Sequence, residues 1–343
     1  MFRSSVLQVG EIFIKEVKMN ILFVIDRIEL KYFEFNDLVT NFWIIKSFLE
    51  RNNKVFITTI DMLKLKSSVA YASCYESYLE NENIFYNKES LSEFKIEDFQ
   101  LVMFRPDPPV DLDYINATYI FDFVDRNKTF IMNDTTAVRN FNEKLHAVLF
   151  NDLMPDNIIT SSKSDIIKFL ETNEEIILKP LNQCFGGGVM YLKHGDKNTA
   201  VIINSMTNNG KQLIMVQKYI QKAVYGDKRV LVLGEEVLPY CVQKMPSNDD
   251  FKFCEHSDEH IKKAVLSDLE KEQFLPLAKK LNSMGIYMAG LDVIDGKIIE
   301  VNVTSPCYFI KEINNNFNCH VENQIADYIL MKANTNLQTP LNV

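Results

Sequence analysis

Two apolar runs joined by Asp295-Gly296 carry three oxygen-bearing side chains at positions where strands of this kind bury their residues. The segment reads Gly290-Leu291-Asp292-Val293-Ile294-Asp295-Gly296-Lys297-Ile298-Ile299-Glu300-Val301-Asn302-Val303-Thr304-Ser305-Pro306. Asp-Gly between apolar runs signals a hairpin, so strands are predicted over 288–294 and 298–303. Glu300 and Asn302 are two apart and share a face, while Val301 and Val303 take the other. A carboxylate and an amide on a buried face need a partner, and these are oxygen ligands that magnesium accepts. Asp292 joins them in one register only. A two-residue loop pairs Asp292 with Ile299 and turns Glu300 away. A three-residue loop, Asp295-Gly296-Lys297, pairs Asp292 with Glu300, and that loop is the expectation.

The start of the chain has a different character. Ile21 to Ile25 is a continuous apolar run of strand length, the mark of a strand buried on both faces of a parallel sheet. Asp26 stands at its carboxyl end, where open α/β sheets bind ligands. A helix follows, with Phe42, Ile45 and Leu49 at helical spacing. Further strands are predicted over 55–60, 101–104 and 129–132, so an α/β domain runs to about residue 140. The polar stretch 62–98 gives no clear pattern. Met19 immediately precedes the first strand, and residues 1–18 read as an extension that frays or packs on the surface.

After residue 150 the runs shorten and antiparallel signals appear. Strands are predicted over 176–179, 189–192, 213–216, 229–233 and 236–242, with helices over 268–284 and 321–330. The expected class is therefore α/β followed by α+β. Net charge is −9, which speaks against the broad basic face that nucleic-acid binding needs. No apolar run reaches membrane-spanning length. Six cysteines without a C-x-x-C pair read as reduced thiols, with neither a zinc site nor a disulfide framework.

Four more segments carry candidate chemistry. Lys179 leaves the apolar run Ile176-Ile177-Leu178 and meets Pro180, with Gly186-Gly187-Gly188 beyond, where backbone N–H groups can approach anionic oxygens. A glycine-rich hairpin beside a solvated lysine has the same pattern. Asn142-Glu143-Lys144-Leu145 opens a helix. Arg229, in Gly226-Asp227-Lys228-Arg229-Val230, enters an apolar strand, where a bound anion or a protein carboxylate must satisfy it. Arg105-Pro106-Asp107-Pro108-Pro109 follows a buried strand, and its stiff turn fixes the arginine at the carboxyl edge of the sheet.

Taken in order, with Ala117-Thr118-Tyr119-Ile120 and Pro239-Tyr240-Cys241, these segments resemble bacterial glutathione synthetase over nearly all of the chain from Met19 to about Leu330. The resemblance implies an ATP-grasp fold behind an N-terminal Rossmann-like domain. Its expected divisions are an extension at 1–18, the N-terminal domain at 19–140, a small subdomain at 141–215, a C-terminal subdomain at 216–335 and a tail at 336–343. It implies an ATP-dependent ligase that joins γ-glutamylcysteine to glycine through an acyl phosphate. It further implies magnesium, with manganese able to substitute, a cytoplasmic homodimer or homotetramer, and no nucleic-acid or membrane partner.

By the same similarity, Lys144 and Lys179 contact the ATP phosphates, with Gly186, Gly187, Gly188 and Asp227 in the nucleotide site. Lys218-Tyr219-Ile220 border adenine. Arg229 and Lys179 are the catalytic cations, and Arg105, Arg229, Thr304 and Ser305 lie near the peptide. Asp292, Glu300 and Asn302 match the metal ligands. The chain departs from the family at 247–258, where the lid glycines are missing, and at Lys244, where the family usually has arginine. Another ATP-grasp carboxylate–amine ligase, or a catalytically silent relative, are the alternatives. The retained lysines and acids speak against silence, because buried charges need a ligand.

Overall fold

The computed structural model describes residues 18–27, 37–183, 187–246 and 260–338. The expected lid at 247–258, Gly186, most of the extension and the last five residues lie outside them.

Eight strands form the first sheet: β1 (Asn20–Ile25), β2 (Lys54–Thr59), β3 (Leu63–Lys66), β4 (Val69–Glu80), β5 (Asn83–Tyr86), β6 (Ser92–Lys95), β7 (Leu101–Phe104) and β8 (Phe130–Met132). Its order is β3-β4-β2-β1-β7-β8, with β5 and β6 also paired to β4. The pairs β2–β1, β1–β7 and β7–β8 are parallel, as the apolar run in β1 predicts. Residues 62–98, which gave no clear pattern, form the antiparallel part, built around β4. Small residues hid it. Ala70, Ala72 and Cys74 fill one buried face of β4, and none of them marks a strand strongly.

The second sheet is antiparallel, ordered β11-β10-β12-β9 from β9 (Asn157–Thr160), β10 (Glu175–Pro180), β11 (Met190–Lys193) and β12 (Ile214–Lys218). Because β12 completes this sheet through Lys218, a division at residue 215 would cut through a strand. The third sheet, also antiparallel, is ordered β15-β14-β13-β16-β17. Its strands are β13 (Asp227–Leu233), β14 (Glu236–Lys244), β15 (Ile261–Val265), β16 (Met288–Ile294) and β17 (Lys297–Asn302).

Three helices frame the site. α1 (Thr40–Glu50) buries Phe42, Ile44, Ile45 and Phe48 against the first sheet. α2 (Asp268–Ser283) starts at a capping box in which Ser267 and Glu270 satisfy each other's backbone N–H groups, and it packs on β14. α3 (Val321–Gln338) runs further than predicted and returns to the N-terminal domain. There Ser47 donates to Asn323 at 2.8 Å, and Arg51 pairs with Asp327 at 2.8 Å. Ile325, Ile329 and Ala333 share one core with β1 and α1 and with Leu231, Leu233 and Leu238 of the third sheet, so the C-terminal helix links the two. Among the described residues no helix is long and apolar enough to cross a membrane.

Asn133 joins the first and third sheets. Its amide donates to the carbonyls of Met288 at 2.7 Å and Val303 at 2.8 Å, and its oxygen accepts from the N–H groups of Tyr287 and Met288, both at 2.9 Å. The residue is buried, so these four bonds fix the carboxyl edge of β8 against β16.

Candidate active site

A cavity of about 670 Å³ lies where all three sheets meet, within the size range of small-molecule sites. The β16–β17 hairpin forms one wall. Its turn has two residues, Asp295 and Gly296, both at positive φ, because Ile294 pairs with Lys297. The predicted three-residue loop is therefore incorrect, yet Asp292 does pair with Glu300. A bulge reconciles the two facts: between Val293↔Ile298 and Asp292↔Glu300, Ile299 is an extra residue on β17. The bulge restores the face that a two-residue turn alone would have lost. It also frees the Ile299 carbonyl to accept from the Lys179 ammonium at 3.1 Å.

Cations from each side meet these acids. Lys144 pairs with Glu300 at 2.8 Å and donates to the Gln183 carbonyl at 2.7 Å. Arg229, central in the third sheet opposite Asp292, pairs with that carboxylate at 2.8 Å. Thus a protein carboxylate satisfies the arginine that enters the apolar strand. Lys244 bridges Asp227 at 2.7 Å and Asp292 at 3.3 Å. Burial works to raise the Asp292 carboxyl, but Arg229 and Lys244 outweigh it and hold the group at about 2. Burial, reinforced by Lys144 and opposed by Glu300, brings the Lys179 ammonium down to about 8. Gly226 allows the close crossing at the start of β13, since a Cβ there would sit 1.9 Å from the Lys244 carbonyl oxygen.

Of the residues singled out in the sequence, Lys144, Lys179, Gly187, Lys218, Tyr219, Ile220, Asp227, Arg229, Asp292, Glu300, Asn302, Thr304 and Ser305 line this cavity. Gly188 stands beside it, in the left-handed conformation. Arg105 does not line it. Its guanidinium is buried and turned onto Asn41, the Ser305 hydroxyl at 3.5 Å and the Pro306 carbonyl at 3.2 Å. It therefore holds the turn after β17 in position rather than facing the cavity.

Other cavity residues escaped the sequence reading. Glu143 accepts from the N–H groups of Val303 at 2.7 Å and Thr304 at 3.0 Å and from the Thr304 hydroxyl at 3.0 Å, fastening Lys144's segment to β17. Gln217 is buried, with an amide nitrogen that has no partner among the described residues, next to Lys218, Tyr219 and Ile220. Asp107 lines the cavity from the end of β7. Glu143 and Asp107 stand within two residues of the cations Lys144 and Arg105, and the sequence gives neither acid a signal of its own. Gln217 is marked by its place in β12, a polar side chain that continues the buried apolar run Ile214-Met215-Val216.

The donor chemistry fits magnesium in part. Glu300 uses only one oxygen on Lys144, and Asn302 donates its amide nitrogen at 3.4 Å to both Asp292 and the Gly290 carbonyl, which leaves its oxygen free. Both oxygens of Asp292 are already taken by cations. Among the described residues no three His, Cys, Asp or Glu side chains form a metal cluster. Magnesium tolerates such a sparse set, taking its remaining ligands from water and substrate phosphates.

Comparison with known proteins identifies the family and the fold. The family described as "Prokaryotic glutathione synthetase, ATP-grasp domain" matches residues 143–318, and "Prokaryotic glutathione synthetase, N-terminal domain" matches 19–139. The chain is 31% identical to glutathione synthetase of Vibrio cholerae over 280 residues, 81% of this chain and 88% of that protein. It is 32% identical to glutathione synthetase of Salmonella typhimurium over 250 residues, 73% and 79% of the two chains. Among solved structures, D-cycloserine synthetase DcsG superposes with a TM-score of 0.63 at 12% identity, covering 92% of this chain and 99% of that one. The ATP-grasp ligase PsnB, complexed with minimal precursor, Mg and ADP, does so with a TM-score of 0.56 at 14% identity, covering 92% and 98%. At such low identity the two structures establish the ATP-grasp fold alone.

Proposed function

The chain belongs to the prokaryotic glutathione synthetase family, and we propose that it joins γ-glutamylcysteine to glycine with conversion of ATP to ADP and phosphate. One observation carries the reading. Lys144, Lys179 and Arg229, from three separate parts of the chain, converge on the oxygen donors of one hairpin inside a single cavity.

A carboxylate is a poor electrophile, so ATP first converts it to an acyl phosphate. Two anions must approach each other for that step, and preorganised cations reduce the cost. Lys144 and Lys179, with Gly187 beside them, hold the phosphates. Tyr219 and Ile220 border the base, where Gln217 offers its unpartnered donor. Arg229 receives the reacting carboxylate, Thr304 and Ser305 shape the peptide site, and Arg105 sets the position of Ser305. Glu300 and Asn302, with Asp292 behind them, hold magnesium, which when bound offsets phosphate charge. The glycine amine then attacks the acyl carbon and phosphate leaves. A cytoplasmic setting and a symmetric dimer or tetramer complete the proposal on the family resemblance.

The test is phosphate release from ATP and magnesium with γ-glutamylcysteine, with and without glycine. Glycine-dependent release is expected. Release only with a different amine or acid would replace the substrates, and nucleotide binding without turnover would end the ligase reading. Glu300→Gln should fold normally and lose magnesium-dependent turnover; unchanged turnover would remove Glu300 from the metal site.

A further inference from the structure

The acids of the cavity are not alike. Asp292 and Asp227 are paired with Arg229 and Lys244, and Glu300 with Lys144. Glu143 is held by two N–H groups and a hydroxyl. Asp107 lines the same cavity and forms no ion pair among the described residues. Arg105 donates to Asn41, Ser305 and Pro306, and its charge acts on Asp107 without pairing with it. Behind Asp107 stands a second carboxylate, Asp26, which accepts the Asp107 N–H at 2.6 Å and likewise forms no ion pair among the described residues.

A third group marks the same place. Tyr114 is 1% exposed, and its hydroxyl has no partner among the described residues. Burial, together with Glu143, Asp26 and Asp107, pushes it well above its ordinary range, so the hydroxyl sits in the field of these carboxylates. Burial and Asp26 also raise Asp107 to about 6, against the opposing Ser305 hydroxyl and Arg105. Arg105 acts on Asp107 and Tyr114 but does not offset the two carboxylates, since Asp107 stays raised, and a positive ligand joining them relieves the remaining cost.

We propose that Asp107, backed by Asp26 and Tyr114, is the subsite for the ammonium group of an amino-acid substrate. The inference rests on the ligase reading, which gives the cavity zwitterionic substrates. The reacting carboxylate is drawn to Arg229 and the lysines, so the positive end of the same molecule needs an acid not already neutralised. Asp107 is that acid. The ammonium belongs either to the γ-glutamyl end of the dipeptide or to glycine.

The test uses the full chain and Asp107→Asn, which keeps the size of the side chain and removes its charge. KM and calorimetric Kd are measured for ATP, γ-glutamylcysteine, glycine and glutarylcysteine, the analogue of the dipeptide without its ammonium. The expected result is a loss of about 10- to 100-fold in affinity for γ-glutamylcysteine, the span of a charge-assisted hydrogen bond, with ATP affinity unchanged. Glutarylcysteine should bind wild type and variant alike. A loss confined to glycine assigns the subsite to the acceptor's ammonium. Equal affinities of wild type and variant for both amino substrates overturn the proposal; so does a loss for γ-glutamylcysteine that glutarylcysteine shares in full. Wild-type turnover decides the ligase reading separately, since the binding comparison needs no chemistry.

Discussion

Lys144 and Glu300 lie 156 positions apart and form a 2.8 Å ion pair that ties the segment after the N-terminal domain to the last strand of the third sheet. The lysine side chain is 5% exposed and the glutamate 18%, so neither charge is well hydrated alone. Lys144→Met leaves Glu300 facing the field of buried Glu143, whose carboxyl burial and Glu300 already raise. The loss should be about 2–4 kcal/mol, since a half-broken buried pair strands a charge. Adding Glu300→Gln should recover part of it. Urea unfolding of both single variants and the double variant measures the coupling, and strictly additive losses would show that the pair contributes nothing.

Asn133 makes four hydrogen bonds between sheets, so its truncation should be more damaging than most surface changes. Asn133→Ala leaves the N–H groups of Tyr287 and Met288 and the carbonyls of Met288 and Val303 without their partner. With a cost of about 1 kcal/mol for each of these buried groups left unsatisfied, the loss should reach about 4 kcal/mol. Denaturant midpoints check it; a loss under about 1 kcal/mol would mean that water replaces the amide.

Much of this architecture was legible because it is written in runs of apolar residues. β1, β7 and β16 stand within a residue of their predicted limits. That Glu300 and Asn302 share a face was legible as well, because period-two alternation fixes it, but the pairing of Asp292 with Glu300 was reached through a loop of the wrong length. The bulge at Ile299 was not, since one extra residue leaves no mark in composition. Likewise, the alternating small residues of β4 carry too little hydrophobic contrast, and nothing in residues 331–338 announces that α3 continues. Ion-pair choices were the least legible. The sequence places Arg229 in an apolar strand, but only register shows that Asp292 lies opposite.

Gly226 should tolerate no side chain. Its φ is +87°, and a Cβ would meet the Lys244 carbonyl oxygen at 1.9 Å and its carbon at 2.8 Å. Both are backbone atoms, so no rotamer change relieves the clash. Gly226→Ala should cost about 3 kcal/mol and displace β13 from β14, with Asp227 and Lys244 next to the break. Thermal unfolding reads the stability, and nucleotide affinity reads the displacement. A variant as stable as wild type would show that the crossing can open without loss.

Asp107 sets a pH dependence of opposite sign to that of a salt-bridged carboxylate. Its folded-state value of about 6 lies above the ordinary 3.8. Between those two values the folded chain keeps a proton that the unfolded chain has released. Stability from this group is therefore full at low pH, falls as pH rises from about 4 to about 6, and is level above that range. A displacement of this size corresponds to about 3 kcal/mol. Asp107→Asn cannot ionise, so its stability relative to wild type should grow by up to that amount between about pH 4 and pH 7. Urea unfolding of both proteins across the range gives the difference directly. An ammonium ligand at Asp107 favours the ionised carboxylate, so saturating amino substrate should flatten the slope and bind more tightly as pH rises through 6. A stability difference that stays constant with pH would mean that Asp107 ionises at its ordinary value and that its surroundings already neutralise it.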